Sequence, residues 1–164
     1  MMFKSLILAG LMSLSCAASA QRDIDLLDWK EGVVPPPPAF DLGKLLTFEV
    51  LSGSSLVYGV DPATLRIDDD DVLRYVMVAS SASGARNVFY EGLRCVTGEF
   101  KTYARSSPEG VWRNVEKPEW RPVFGNMPSR HAFQFAKAGA CDGAARATTV
   151  NDIIRKLKAG RVIP

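Results

Sequence analysis

Short apolar runs of strand length, separated by turn residues, fill the first two thirds of the chain beyond residue 44. Leu45 to Leu51, Leu56 to Val60 and Thr64 to Ile67 are rich in β-branched, aromatic and aliphatic residues, with Asp61-Pro62 as a turn signal before the third. These segments predict strands. Val72 to Ala79 is apolar at nearly every position, which predicts a central strand covered on both faces. After a Ser/Gly loop at 80–85, Asn87 to Cys95 and Glu99 to Arg105 are joined by Val96-Thr97-Gly98, predicting a hairpin with a three-residue connection. In that register Glu91 lies opposite Tyr103. Asn87, Glu91, Lys101, Tyr103 and Arg105 then share one polar face, while Tyr90, Phe100 and Ala104 point into the core.

Helical spacing comes late. Ser129 can cap a short helix over Arg130 to Ala138 that stops at Gly139, and Thr149 or Asn151 can start a second one running to Lys158 and stopping at Gly160. Ile153, Ile154 and Leu157 share a face of the second helix, and its basic residues sit near the C-terminal end, where the helix dipole favours them. Pro108, Pro118, Pro122 and Pro128 break up 106–129, so that region reads as a long loop pinned by Trp112 and Trp120. Strands followed by helices indicate an α+β domain. The expected fold is an antiparallel, hairpin-rich β-meander with one or two short C-terminal helices and one disulfide.

The first twenty residues follow a different pattern. Lys4 precedes an apolar stretch, Ser5 to Leu14, and then the small residues Ala18-Ser19-Ala20. This is the layout of a secretory signal peptide, and the stretch is too short for a membrane-spanning helix, which needs about 20 apolar residues. Cleavage is expected after Ala20. An alternative is lipid modification of Cys16, which would anchor the protein to a membrane. Residues 21–41 form an extended arm around Pro35 to Pro38, since proline favours the polyproline II conformation. The arm either packs on its own domain through Trp29 and Phe40 or docks a partner. Residues 42–164 are expected to form a single domain.

Removal of the leader leaves two of the three cysteines, Cys95 and Cys141. An even count in an oxidising compartment predicts a disulfide between them, for which the chain-entropy argument gives roughly 4 kcal/mol. Lys and Arg number 20 against 18 Asp and Glu, a balance that argues against electrostatic binding of nucleic acid. No nucleophile elbow, zinc-protease helix, phosphate-binding Gly loop or Cys/His ligand cluster occurs, so neither a catalytic residue nor a cofactor or metal site is assigned. The single histidine, His131, reads as a surface or capping residue. Asp68 to Asp71 reads as a solvated turn, with weak calcium binding as the alternative, because the alternating ligands and central glycine of a calcium loop are missing. The candidate binding residues are Glu91, Lys101, Tyr103 and Arg105 on the hairpin face, whose partner would be an unknown envelope protein or a polar ligand.

Trp29-Lys30-Glu31 before the proline run, Tyr58-Gly59-Val60-Asp61-Pro62, Arg74-Tyr75-Val76, Tyr90 to Cys95 and Glu99 to Arg105 resemble the family named after a cryptic neisserial protein. Its members are small exported proteins of Gram-negative bacteria. The resemblance implies a periplasmic location, with lipoproteins among the members, and implies no activity. The sequence thus reads as an exported periplasmic protein of the non-catalytic binding or envelope-accessory kind. A periplasmic hydrolase with an unrecognised site is one alternative. An inhibitor of host lysozyme is another, on the slight likeness of Ser83-Gly84-Ala85-Arg86 to the Ser-Gly-Ala loop of such inhibitors.

Overall fold

A strand that is apolar on both faces needs cover on both, and the segment after Val72 has it. The computed structural model describes residues 28–50, 55–124, 130–147 and 149–160. The leader with Cys16, residues 21–27 of the arm, and Ser129 lie outside the described residues. The chain divides into two units, Met1–Glu31 and Gly32–Pro164. The second unit runs through β1 (Leu46–Phe48), β2 (Leu56–Val60), β3 (Arg66–Ile67), β4 (Leu73–Ser81), β5 (Arg86–Arg94), β6 (Glu99–Ser106), β7 (Trp112–Asn114) and β8 (Arg121–Pro122). Then come α1 (His131–Phe135), β9 (Cys141–Asp142), β10 (Ala145–Arg146) and α2 (Val150–Ala159).

The first eight strands make one antiparallel sheet in the order β1-β2-β4-β5-β6-β7, with β3 beside β4 and β8 beside β6. The expected α+β architecture is present, with two short C-terminal helices. The region read as a loop, 106–129, contributes two short edge strands instead: Trp112 pairs with Ser106, and Arg121 with Phe100. Pro122 is tolerated because it lies on an edge strand.

One face of the sheet carries Tyr58, Val60, Leu73, Tyr75, Met77, Leu93 and Phe100, packed against Phe135 of α1 and Ile153 and Leu157 of α2. Thr149 caps α2, accepting from the Asp152 N–H, and the helix ends at Gly160 as its sequence indicates. The opposite face carries Val76, Val78, Val88, Tyr90, Tyr103 and Ala104. Its cover comes from Val34 and Phe40 of the proline arm and from Leu45 just after it, beside Trp112. The arm is tied down at two points, where Asp70 accepts from the Gly32 N–H at 2.8 Å and Asp61 from the Asp41 N–H at 2.7 Å. The arm from Gly32 onward therefore packs on its own domain.

The register of the β5–β6 hairpin departs from expectation. Arg94 pairs with Glu99, so the connection has four residues rather than three, and Leu93 faces Phe100, Gly92 faces Lys101 and Glu91 faces Thr102. A bulge at Tyr103 then restores the expected register, with Tyr90 opposite Ala104 and Phe89 opposite Arg105. A one-residue slip turns each side chain to the other face of the sheet. Lys101, Tyr103 and Phe100 are displaced in this way, while Glu91 and Arg105 are not. Gly92 permits the bulge, because a Cβ there would lie 2.4 Å from the Tyr103 hydroxyl oxygen.

Candidate functional site

Of the four hairpin residues expected to form one binding face, Glu91 and Arg105 lie on the helix side and Lys101 and Tyr103 on the arm side. Their common face does not exist, since the four-residue connection shifts the register between the turn and the bulge. Lys101 Nζ lies 5.6 Å from the ring centre of Tyr103 and 5.5 Å from that of Trp120. Arg105 stands over Phe89 at 5.0 Å, and Tyr103 is buried against Tyr90.

Glu91 is 1% exposed and His131 6%. His131 Nε2 lies 3.1 Å from Oε1 and 3.0 Å from Oε2 of Glu91. The Thr102 hydroxyl donates to Oε1 at 3.1 Å and the Tyr75 hydroxyl to Oε2 at 3.3 Å. Aromatic rings wall the pair in: Tyr58 stacks parallel to the imidazole at 5.5 Å, and Phe100 meets it edge-on at the same distance. Burial opposes a charged imidazole, but the adjoining Glu91 carboxylate outweighs it and holds the His131 pKa above its ordinary 6.5. Burial, reinforced by the same carboxylate, pushes the Tyr75 hydroxyl well above its usual value. The surface histidine expected from the sequence is thus a core residue. Its helix begins there, and the imidazole is the polar group that fastens α1 to β5. A carboxylate whose two oxygens already accept from three side chains, behind aromatic rings, is poorly placed to take a proton from a substrate, which requires direct reach.

The aspartate run is also built into the fold. Arg74, 1% exposed, donates from Nη1 to Asp68 at 2.6 Å and from Nη2 to Asp70 at 2.7 Å. Arg66 also pairs with Asp68. Asp71, at φ 61°, pairs with Arg146 at 2.5 Å. Burial opposes ionisation of Asp70, yet bonds from Arg74, Gly32 and Val72 hold its pKa below the ordinary 3.8. The run is the turn read from the sequence, with Asp69 and Asp71 exposed, and its Asp68 and Asp70 are also the counter-ions of a buried arginine. Among the described residues, no group of three or more His, Cys, Asp and Glu side chains is placed to hold a metal ion.

Cys95 and Cys141 are bonded, with Cα atoms 5.6 Å apart, and lie 46 positions apart in sequence. The bond ties the β5–β6 turn to the segment after α1. That segment, Ala136–Ala140, is a π-turn containing Gly139 at φ 129°, a conformation that favours glycine. Between the turn, the π-turn and the end of α2 lies an open cleft of about 830 Å³. Leu93, Val123, Phe124, Phe133 and the disulfide line it, together with Lys137 and Lys156. Phe124 is 71% exposed.

A family model matches residues 25–158, most of the chain. The protein belongs to the CNP1-like family. No curated protein and no solved structure matched the chain. In this CNP1-like protein the segments that carried the family resemblance are mostly structural. Arg74-Tyr75-Val76 places the buried arginine and Tyr75 on opposite faces of β4, and Tyr90 to Cys95 supplies Glu91, the Tyr103 seat at Gly92, and one half of the disulfide.

The cleft was not legible in the sequence, because its walls come from four segments that fold together only in the tertiary structure. One signal pointed toward it. Cys95 and Cys141 had to meet, so the residues around each of them had to be neighbours.

Proposed function

We propose that this CNP1-like protein is an exported periplasmic binding protein that catalyses no reaction, with the cleft beside Cys95–Cys141 as its ligand site. The cleft itself carries this reading. At about 830 Å³ it falls within the range of about 300–1,000 Å³ common for small-molecule sites, and its apolar walls include a phenylalanine left largely exposed. Supporting export are the leader pattern at residues 1–20 and the disulfide, a bond characteristic of oxidising compartments.

The location is tested by intact mass of the protein recovered from a periplasmic fraction, where a chain beginning at Gln21 is expected. A diacylglyceryl-modified Cys16 would instead place the protein on a membrane, and an intact leader in the cytoplasmic fraction would overturn export. Binding is tested with the neutral apolar probe N-phenyl-1-naphthylamine. Saturable fluorescence enhancement is expected for the wild type and loss of it for Ala138→Trp, which fills the cleft. Amide shift changes confined to residues 95–98 and 136–144 would locate the probe without a substitution. Absence of saturable binding would sink the cleft as a ligand site.

A further inference from the structure

We propose that the cleft accepts an amphipathic anion, with a single apolar chain lying along Leu93, Val123 and Phe133 and a carboxylate-type head between Lys137 and Lys156. This rests on the reading of the cleft as a ligand site and adds the class of ligand. The walls are aliphatic and aromatic, so they favour a body that would otherwise expose hydrocarbon to water. Polar recognition is left to the edge.

Both lysines are held there by their own packing. Gly139 has no side chain and lies directly against the stem of Lys156: a Cβ on Gly139 would come within 2.4 Å of the lysine Cβ and 3.1 Å of its Cδ. The stem thereby becomes part of the cleft wall, on a residue that is exposed overall. Lys137 Nζ lies 5.5 Å from the ring centre of Phe133, which places a second ammonium over the aromatic wall. Asp142 is the one carboxylate among the described residues lining the cleft, so the lining itself carries two positive charges and one negative, with Asp152, which interacts electrostatically with Lys156, outside it. That surplus complements an anionic head and opposes a cationic one.

Lys156 also lies in the last turn of α2, where a cation complements the helix dipole. A lysine serving the helix alone would stabilise the fold without affecting which head group binds. The experiment therefore reads head-group preference. Dodecanoate, dodecanol and dodecyltrimethylammonium, which share one tail, compete with N-phenyl-1-naphthylamine for the folded wild type below their micelle-forming concentrations. Dodecanoate is expected to bind roughly two- to thirtyfold tighter than dodecanol, the range for two exposed ion pairs, and dodecyltrimethylammonium the weakest. The preference should shrink as salt is raised. In Lys137→Gln/Lys156→Gln, dodecanoate should fall to the affinity of dodecanol while dodecanol is unchanged.

If the probe and all three competitors fail to bind, the cleft is not a ligand site and the inference falls with it. Equal binding of the three tails, or tightest binding of the cation, leaves the cleft standing and overturns the anionic ligand. An anionic preference that survives in the folded double variant overturns the assignment to these two lysines.

Discussion

Each face of the central sheet holds a buried ionic contact, and the two contacts are built in opposite ways. On the arm side, Arg74 is held by Asp68 and Asp70, partners only six and four residues away in sequence. On the helix side, Glu91 meets His131, forty residues away. The local pair lies at the edge of the core, where Asp68 and Asp70 alternate with the exposed Asp69 and Asp71. The distant pair couples a carboxylate to a titratable imidazole under a roof of aromatic rings. The comparison separates two uses of buried charge: one finishes a turn and anchors the arm through Gly32, while the other fixes how a helix sits on a sheet.

Breaking the distant pair should have the largest effect. Glu91→Ala leaves a buried imidazole and two hydroxyls without their common acceptor, and about 3–5 kcal/mol of unfolding free energy should be lost. Arg74→Met fills the same space and leaves Asp68 and Asp70 able to rehydrate, so a smaller loss of about 2–3 kcal/mol is expected. Urea denaturation of both variants measures the two numbers. A greater loss for Arg74→Met would reverse the proposed ranking of the two faces.

The pH dependence sharpens the contrast because the two pairs act in different windows. His131 has its pKa raised on folding, so its contribution is fully present below the ordinary 6.5 and is lost as pH rises through the folded value. Asp70 has its pKa lowered, so its contribution is present above the ordinary 3.8 and is lost as pH falls through the folded value. Melting temperature should therefore decline on the alkaline side in the wild type and decline less steeply in His131→Phe. On the acid side the decline should be blunted in Arg74→Met. An alkaline limb unchanged in His131→Phe would show that the imidazole does not carry it.

The smallest effects are expected where the sequence had suggested a binding face. Lys101→Ala removes contacts with Tyr103 and Trp120 and should lose about 1 kcal/mol. Arg105→Ala, on an exposed side chain over Phe89, should lose about 0.5 kcal/mol. Thermal unfolding of the two single variants checks both values.

Most of the framework was legible in the sequence. The central strand followed from the two-sided apolar pattern of Val72 to Ala79, the second helix from its cap at Thr149 and its stripe of Ile153 and Leu157, and the disulfide from the expectation that two cysteines remain after loss of a leader. The hairpin was legible as a hairpin, and its register was right from Tyr90 and Ala104 outward. Between the turn and the bulge it was not. Loop lengths of three and four residues are both compatible with Val96-Thr97-Gly98, and the bulge at Tyr103 depends on the space above Gly92, a packing property. That single residue of slip dispersed the expected polar face.

Local chemistry, then, was determined by the sequence itself: which segments form the central strand and the second helix, which segment needs cover on both faces, which aspartates stand near Arg74, and which cysteines can pair. Only the tertiary structure decided the contacts that no spacing encodes. His131 became a core residue because Glu91 waits for it on β5 and Tyr58 and Phe100 exclude water around it, and nothing adjoining His131 in sequence announces either. The cleft likewise exists because the disulfide draws the β5–β6 turn against a π-turn whose Gly139 lets Lys156 lie close. Patterns of 2 and 3.6 residues report which side of an element is apolar, and which element comes to lie against that side is settled by the packing of the whole chain.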